Sequence, residues 1–264
     1  MNNNNNNLLF NLLLLLLLFI IPSESADPAA YSCGNNNASA QISKNINNLL
    51  PTLVSGTIQN GFVKSSYGEN GAQVYGLAQC RVDVPQDNCT SCIRDAAKTV
   101  RDSNHCPNQS DVRIWYDFCF LRYSTNNFFG GVDTTGWYLY NVEYVTGVDG
   151  FNETLGDLMH SISKEAVKAD RKGLGKGTRK LSSFVTLYGL VQCTRDLSDL
   201  SCAQCLARGI DFPTFCVGKK GCRVLFGSCY VRFELYPIFY PLDSEGASLV
   251  RRGREHESFV GVKT

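Results

Sequence analysis

The chain has 264 residues, 44% of them hydrophobic and 19% charged, with a formal net charge of +1. That balance suits a globular protein with one large core or two small ones. The near-zero charge gives no electrostatic reason to expect a nucleic-acid or strongly acidic partner.

In chain order, an asparagine run leads into an apolar block from Leu8 to Ile21, broken at Asn11, with small residues at Ser23, Ser25 and Ala26. This pattern reads as the hydrophobic region and cleavage zone of a secretory signal peptide, residues 1–26. The block is shorter than the roughly 20 residues of a spanning helix, so a retained signal anchor is the weaker reading. No later stretch approaches that length, and the mature chain is expected to be exported with no membrane span.

The segment 42–58 carries apolar residues at helical spacing, and 154–169 does so again. Helices are also expected after each C-x-x-C, at 93–102 and 206–215, and β-branched and aromatic strands at 112–124 and 223–236. Two helices on an antiparallel sheet make an α+β unit, and that unit occurs twice. VYGLAQC (74–80) matches LYGLVQC (187–193), and CFLRY (119–123) matches CYVRF (229–233). The aromatic stretch 128–144 reads as an extension or connector packed between the units, and the basic run 168–180 as a solvated loop.

All twelve cysteines follow the signal segment, six in each unit. The opening phrase CRVDVPQDNCTSC (80–92) recurs as CTRDLSDLSCAQC (193–205), a C-x8-C-x2-C pattern. A zinc site would take four thiolates, but the three histidines, His105, His160 and His256, do not sit at ligand spacing from one another. A thioredoxin-like centre at Cys89/Cys92 or Cys202/Cys205 would need a parallel βαβ setting, which the strand pattern lacks. An exported chain meets an oxidising environment, so a disulfide framework is the favoured reading. Six cysteines allow about fifteen pairings, and spacing does not choose among them. N-x-[ST] acceptors stand at Asn37, Asn108 and Asn152; a fourth, Asn88, precedes Cys89 and is a poor candidate.

The C-x8-C-x2-C pattern, the YGL-x-Q-C approach and the phrase GCRVLFGSCYVRFELYP resemble the plant ginkbilobin-type cysteine-rich domain. Two copies behind a signal peptide resemble the plant cysteine-rich repeat secretory proteins. The resemblance implies a tandem of domains, each two α-helices on a five-stranded antiparallel sheet, at residues 27–131 and 137–241. The tail at 242–264 is polar and contains glycine, and its composition reads as disordered. The resemblance also implies the pairings Cys33–Cys106, Cys80–Cys89 and Cys92–Cys119, and Cys193–Cys202 and Cys205–Cys229 in the second copy. The second copy lacks a first-position cysteine and has an extra one, which leaves Cys216 and Cys222 to each other.

The sugar-binding seed member of that family holds mannose with an asparagine after the first cysteine, an arginine and a glutamate. A forked guanidinium and a carboxylate each suit vicinal hydroxyls. At those positions the first unit has Gly34, Arg113 and Ser124; the second has Arg223 and Glu234 and no asparagine equivalent. The competing reading of these residues is an exposed ion pair on neighbouring strands, worth little. The resemblance implies a secreted, non-enzymatic binding or defence module of the apoplast, without cofactor or metal. Its partner would be a cell-wall or microbial glycan, or a cell-surface receptor ectodomain. The alternatives are an extracellular thiol-disulfide oxidoreductase and a truncated receptor-like kinase ectodomain.

Overall fold

The computed structural model describes residues 27–69, 71–147, 149–241 and 258–264. The expected signal segment lies outside them, as does 242–257 of the expected tail. The first unit runs β1 (Ala30–Cys33), α1 (Ala40–Asn60), β2 (Phe62–Tyr67), β3 (Val74–Cys80), α2 (Gln86–Thr99), β4 (Asp111–Trp115) and β5 (Cys119–Ser124). Its strands form an antiparallel sheet in the order β1-β4-β5-β3-β2. The second unit repeats the plan with β6 (Gly136–Asn141), α3 (Phe151–Ala166), β7 (Leu174–Lys180), β8 (Thr186–Cys193), α4 (Asp199–Ile210), β9 (Cys222–Phe226) and β10 (Cys229–Glu234). Its order is β11-β6-β9-β10-β8-β7, with β11 (Phe259–Lys263) added at the edge.

Helix α1 begins where the Ser39 hydroxyl accepts the Ile42 amide and ends at Gly61, whose φ of 69° suits glycine. Its buried stripe, Ile46, Leu49, Leu50, Leu53 and Thr57, lies on the sheet. The glycine of YGL-x-Q-C permits that approach. A Cβ on Gly76 would come within 2.7 Å of Leu53, and one on Gly189 within 3.0 Å of the Met159 sulfur of α3.

The cysteines of the same phrase fasten helix to sheet. Cys80 and Cys119 stand directly opposite each other on β3 and β5, yet are not bonded together. Cys80 pairs with Cys89 and Cys119 with Cys92, so two cysteines three apart on one face of α2 clamp it to two neighbouring strands. The second unit does the same with Cys193–Cys202 and Cys205–Cys229. Cys33–Cys106 closes the long loop of the first unit, worth about 4 kcal/mol in the chain-entropy model. Cys216–Cys222 closes a short one in the second, and no cysteine is free.

Four local expectations are corrected or sharpened. The helices begin ahead of the C-x-x-C, at Gln86 and Asp199, and end at Thr99 and Ile210. The Ser198 hydroxyl caps the latter by accepting the Ser201 amide, and Pro213 lies beyond its end. The connector contains β6, which takes the place of β1 in the second sheet. The basic run contains a 3₁₀ turn, Ala169–Arg171, and the edge strand β7. That strand can lie against α3 because Gly175 has no side chain: a Cβ there would come within 1.9 Å of the Ile162 carbonyl. The tail is not wholly without order, since Phe259–Lys263 pairs with β6 from Phe259↔Asn141 to Lys263↔Trp137. β6 is otherwise an open edge with unpaired amides, which a donated strand satisfies.

Candidate functional site

The helix-free faces of the two sheets carry the family's expected ligand residues. In each unit an arginine pair stands in register across one hairpin: Arg113↔Arg122 on β4 and β5, and Arg223↔Arg232 on β9 and β10. Both pairs look toward the other unit.

In the second unit, Glu234 lies two residues beyond Arg232 on the same face and is wholly buried. Its Oε1 is 3.3 Å from Arg223 Nε and 2.9 Å from Arg232 Nε. The fourth member comes from the first unit. Asp117, in the β4–β5 turn, reaches Arg223 Nη1 at 3.0 Å and Arg232 Nη1 at 3.6 Å. Burial works against the Arg223 charge and Arg232 adds to that, but Asp117 and Glu234 overcome both and hold the guanidinium above its ordinary range. Arg232 is raised too, against burial, by Tyr230 first and then by Glu234, Tyr236 and Asp117. The far side of Arg223 is covered by the Phe259 ring of β11, 4.4 Å away.

The first unit builds its cluster with a different acid. Asp133, between β5 and β6, lies 3.2 Å from Arg113 Nη1 and 2.9 Å from Arg122 Nη1. Burial alone would raise the Asp133 carboxyl; hydrogen bonds from the Thr135 hydroxyl and amide, with the two guanidinium groups, hold it below the ordinary carboxylate value. Arg122 is lowered, chiefly by burial, with Asp133 opposing. RIWYDFC and RVLFGSC align Asp117 with Gly227. Gly227 occupies the matching place at the first-unit pair, where a Cβ would meet Asp133 Oδ2 at 2.5 Å and Arg122 Nη1 at 3.2 Å. Each arginine pair thus receives the turn of the opposite unit. One turn supplies a carboxylate, and the other leaves room for a carboxylate from the connector.

The glutamines of YGL-x-Q-C complete the pseudo-two-fold interface. Gln79 donates to the Cys193 carbonyl at 2.9 Å and accepts from the Arg195 amide at 2.8 Å. Gln192 donates to the Cys80 carbonyl at 3.4 Å and accepts from the Val82 amide at 3.1 Å. Each carboxamide bonds positions one and three beyond its counterpart. Trp115 adds a bond from its indole nitrogen to the Phe226 carbonyl at 3.1 Å. The cavity left between the units, lined by Trp115, Phe120, Gln192 and Tyr230, is about 50 Å³, room for a few waters. A larger groove, about 400 Å³, lies outside between α3 and α4 and is lined by His160, Lys164, Val167, Ala207 and Asp211.

The expected set is therefore brought together only in part. Arg223 and Glu234 meet, but buried and engaged rather than as an exposed pair. Arg113 sits in the other cluster, and Gly34 and Ser124 offer it no amide or carboxylate. Gln79, Gln192, Asp117, Asp133, Arg122 and Arg232 went unremarked in the sequence. The glutamines and the second arginines were visible there as repeated letters, in YGL-x-Q-C and in CFLRY/CYVRF. Of the sequons, Asn37, Asn108 and Asn152 are exposed, whereas Asn88 donates to the Tyr240 hydroxyl at 2.9 Å.

A family model described as salt stress response/antifungal matches residues 30–126 and again 140–236. Cysteine-rich repeat secretory protein 55 of Arabidopsis thaliana is 53% identical over 246 residues, covering 89% of this chain and 92% of the relative. An antimicrobial ginkbilobin-2-like protein of Castanea crenata is 42% identical over 218 residues, 81% of this chain and 89% of that one. Among solved structures, the tandem DUF26 ectodomain of the Arabidopsis thaliana receptor-like protein PDLP5 superposes with a TM-score of 0.65 at 24% identity, covering 80% of this chain and all of that one (100%). No helix among the described residues is long and apolar enough to cross a membrane. With its domain present twice, the chain belongs to the salt stress response/antifungal family, among the plant cysteine-rich repeat secretory proteins.

Proposed function

We propose that this chain acts outside the cell as a non-catalytic binding and defence module whose two units work as one body. It engages a cell-surface ectodomain, or a cell-wall or microbial glycan, through the outward surfaces of the tandem. In this reading Arg223 and Glu234 hold the tandem together and do not touch the ligand. One observation carries it: Glu234 is 0% exposed and Arg223 7% exposed, both tied to Asp117 of the other unit or to Arg232. A sugar hydroxyl would have to displace those charge-assisted bonds. An oxidoreductase would need a C-x-x-C pair free to exchange, whereas each such cysteine here is bonded to a different partner. Asn37, Asn108 and Asn152 are the glycan acceptors in this reading.

The test is a glycan array on the secreted protein, with Arg223→Ala and Glu234→Ala as controls. The reading expects no mannose binding that depends on these two residues, and lower melting temperatures in both variants. Mannose binding that both substitutions abolish while melting is unchanged would refute it.

A further inference from the structure

The β7–β8 hairpin differs from its first-unit counterpart in two independent ways. From Lys172 to Thr186 it carries four cations, Lys172, Lys176, Arg179 and Lys180, and no acidic residue, whereas Phe62 to Val74 carries one of each sign, Lys64 and Glu69. At its tip, Phe184 is 98% exposed, the most exposed large hydrophobic side chain among the described residues.

That exposure belongs to a formed turn. The Leu181 and Ser182 amides donate to the Val185 carbonyl at 2.9 and 3.2 Å. The Ser182 hydroxyl accepts from the Phe184 and Val185 amides at 3.2 and 3.1 Å. In the first unit the corresponding loop is instead tied to α1 by a bond from Asn45 to the Ala72 carbonyl at 2.7 Å. The nearby cations are not equivalent. Lys168 and Arg171 are matched by Glu165 and Asp170, and Lys176 is held over the Phe239 ring. Arg179 and Lys180, next to the tip, have no ion-pair partner among the described residues.

A run of lysines alone reads as a solvated face. An aromatic ring held fully in water beside two unmatched cations calls for a partner that is apolar inside and anionic outside. We propose that the β7–β8 tip docks on an anionic lipid bilayer, Phe184 entering the boundary between headgroups and acyl chains while Arg179 and Lys180 meet lipid phosphates. A phenyl ring has no hydrogen-bonding atom and here stands alone beyond the backbone, which suits a soft layer better than the hydroxyls of a polysaccharide. This docking is independent of the ligand reading above.

The test is sedimentation of the full secreted protein with vesicles of phosphatidylcholine alone, the same lipid with one-third phosphatidylglycerol, and, separately, with polygalacturonate. Binding is expected to the anionic vesicles and to weaken with salt. Phe184→Ser should lower it at least about tenfold, and Arg179→Gln with Lys180→Gln about 25-fold, from about fivefold per cation removed. Near-ultraviolet circular dichroism and melting should not change, because all three side chains are exposed. Equal binding to neutral and anionic vesicles, no vesicle binding, or binding unaffected by Phe184→Ser would each overturn the proposal. So would capture by polygalacturonate with the vesicles left unbound, which would reassign the patch to an acidic polysaccharide.

Discussion

Glu234→Gln separates a clamp from a ligand site, because it keeps the size of the side chain and removes only its charge. In the native cluster two guanidinium groups face two carboxylates, Asp117 and Glu234, and the sum is neutral. The substitution leaves one net positive charge at a position that is 0% exposed. Removing one partner of a buried ion pair costs about 3–5 kcal/mol. The amide oxygen can still accept from Arg223 and Arg232, which places the expected loss at about 3 kcal/mol. For a chain of this size that is a fall in melting temperature of about 6–12 °C. Differential scanning calorimetry on the oxidised protein measures it directly. A variant that melts within about 1 °C of the parent would show the charge to be dispensable for the fold and refute the clamp.

Gln79→Ala and Gln192→Ala should each cost about 1–3 kcal/mol, since each leaves a buried carbonyl and a part-buried amide of the opposite unit without their partner; urea denaturation should give similar losses for the two, as the pseudo-two-fold requires. Gly227→Asp alone should destabilise by forcing a carboxylate against Asp133. Combined with Asp133→Ala it should recover at least half of the loss that Asp133→Ala causes alone, read from the same urea curves. The depressed Asp133 carboxyl contributes stability that is complete above its unfolded value of about 3.9 and is lost as pH falls through the lower folded value. Asp133→Asn should therefore flatten the acid limb of stability against pH, and an unchanged limb would contradict that assignment.

The α+β tandem was legible because its signals are local and occur twice: helical spacing before each YGL-x-Q-C, β-branched runs after each C-x-x-C. Boundaries were less so. The C-x-x-C read as the point before a helix, whereas two cysteines three apart meet the sheet only if they already lie on one helical face. Strand β11 was illegible, because residues such as Gly261 and Val262 pattern as tail until an open edge is offered to them. The role of Arg223 and Glu234 was hidden for a deeper reason. Spacing from a cysteine gives the face of the sheet on which a residue lies. It does not say whether solvent or another unit covers that face, and here the answer depends on Asp117, more than 100 residues away in sequence.

The most direct measurement of the clamp is a double-mutant cycle across the interface, Asp117→Asn with Arg223→Gln, followed by urea denaturation. If the two units are locked through this pair, the losses will be non-additive, with a coupling of about 1–3 kcal/mol. Losses that add within about 0.3 kcal/mol would mean that Asp117 and Arg223 stabilise the protein separately, and the account of the tandem as one charge-locked body would fail.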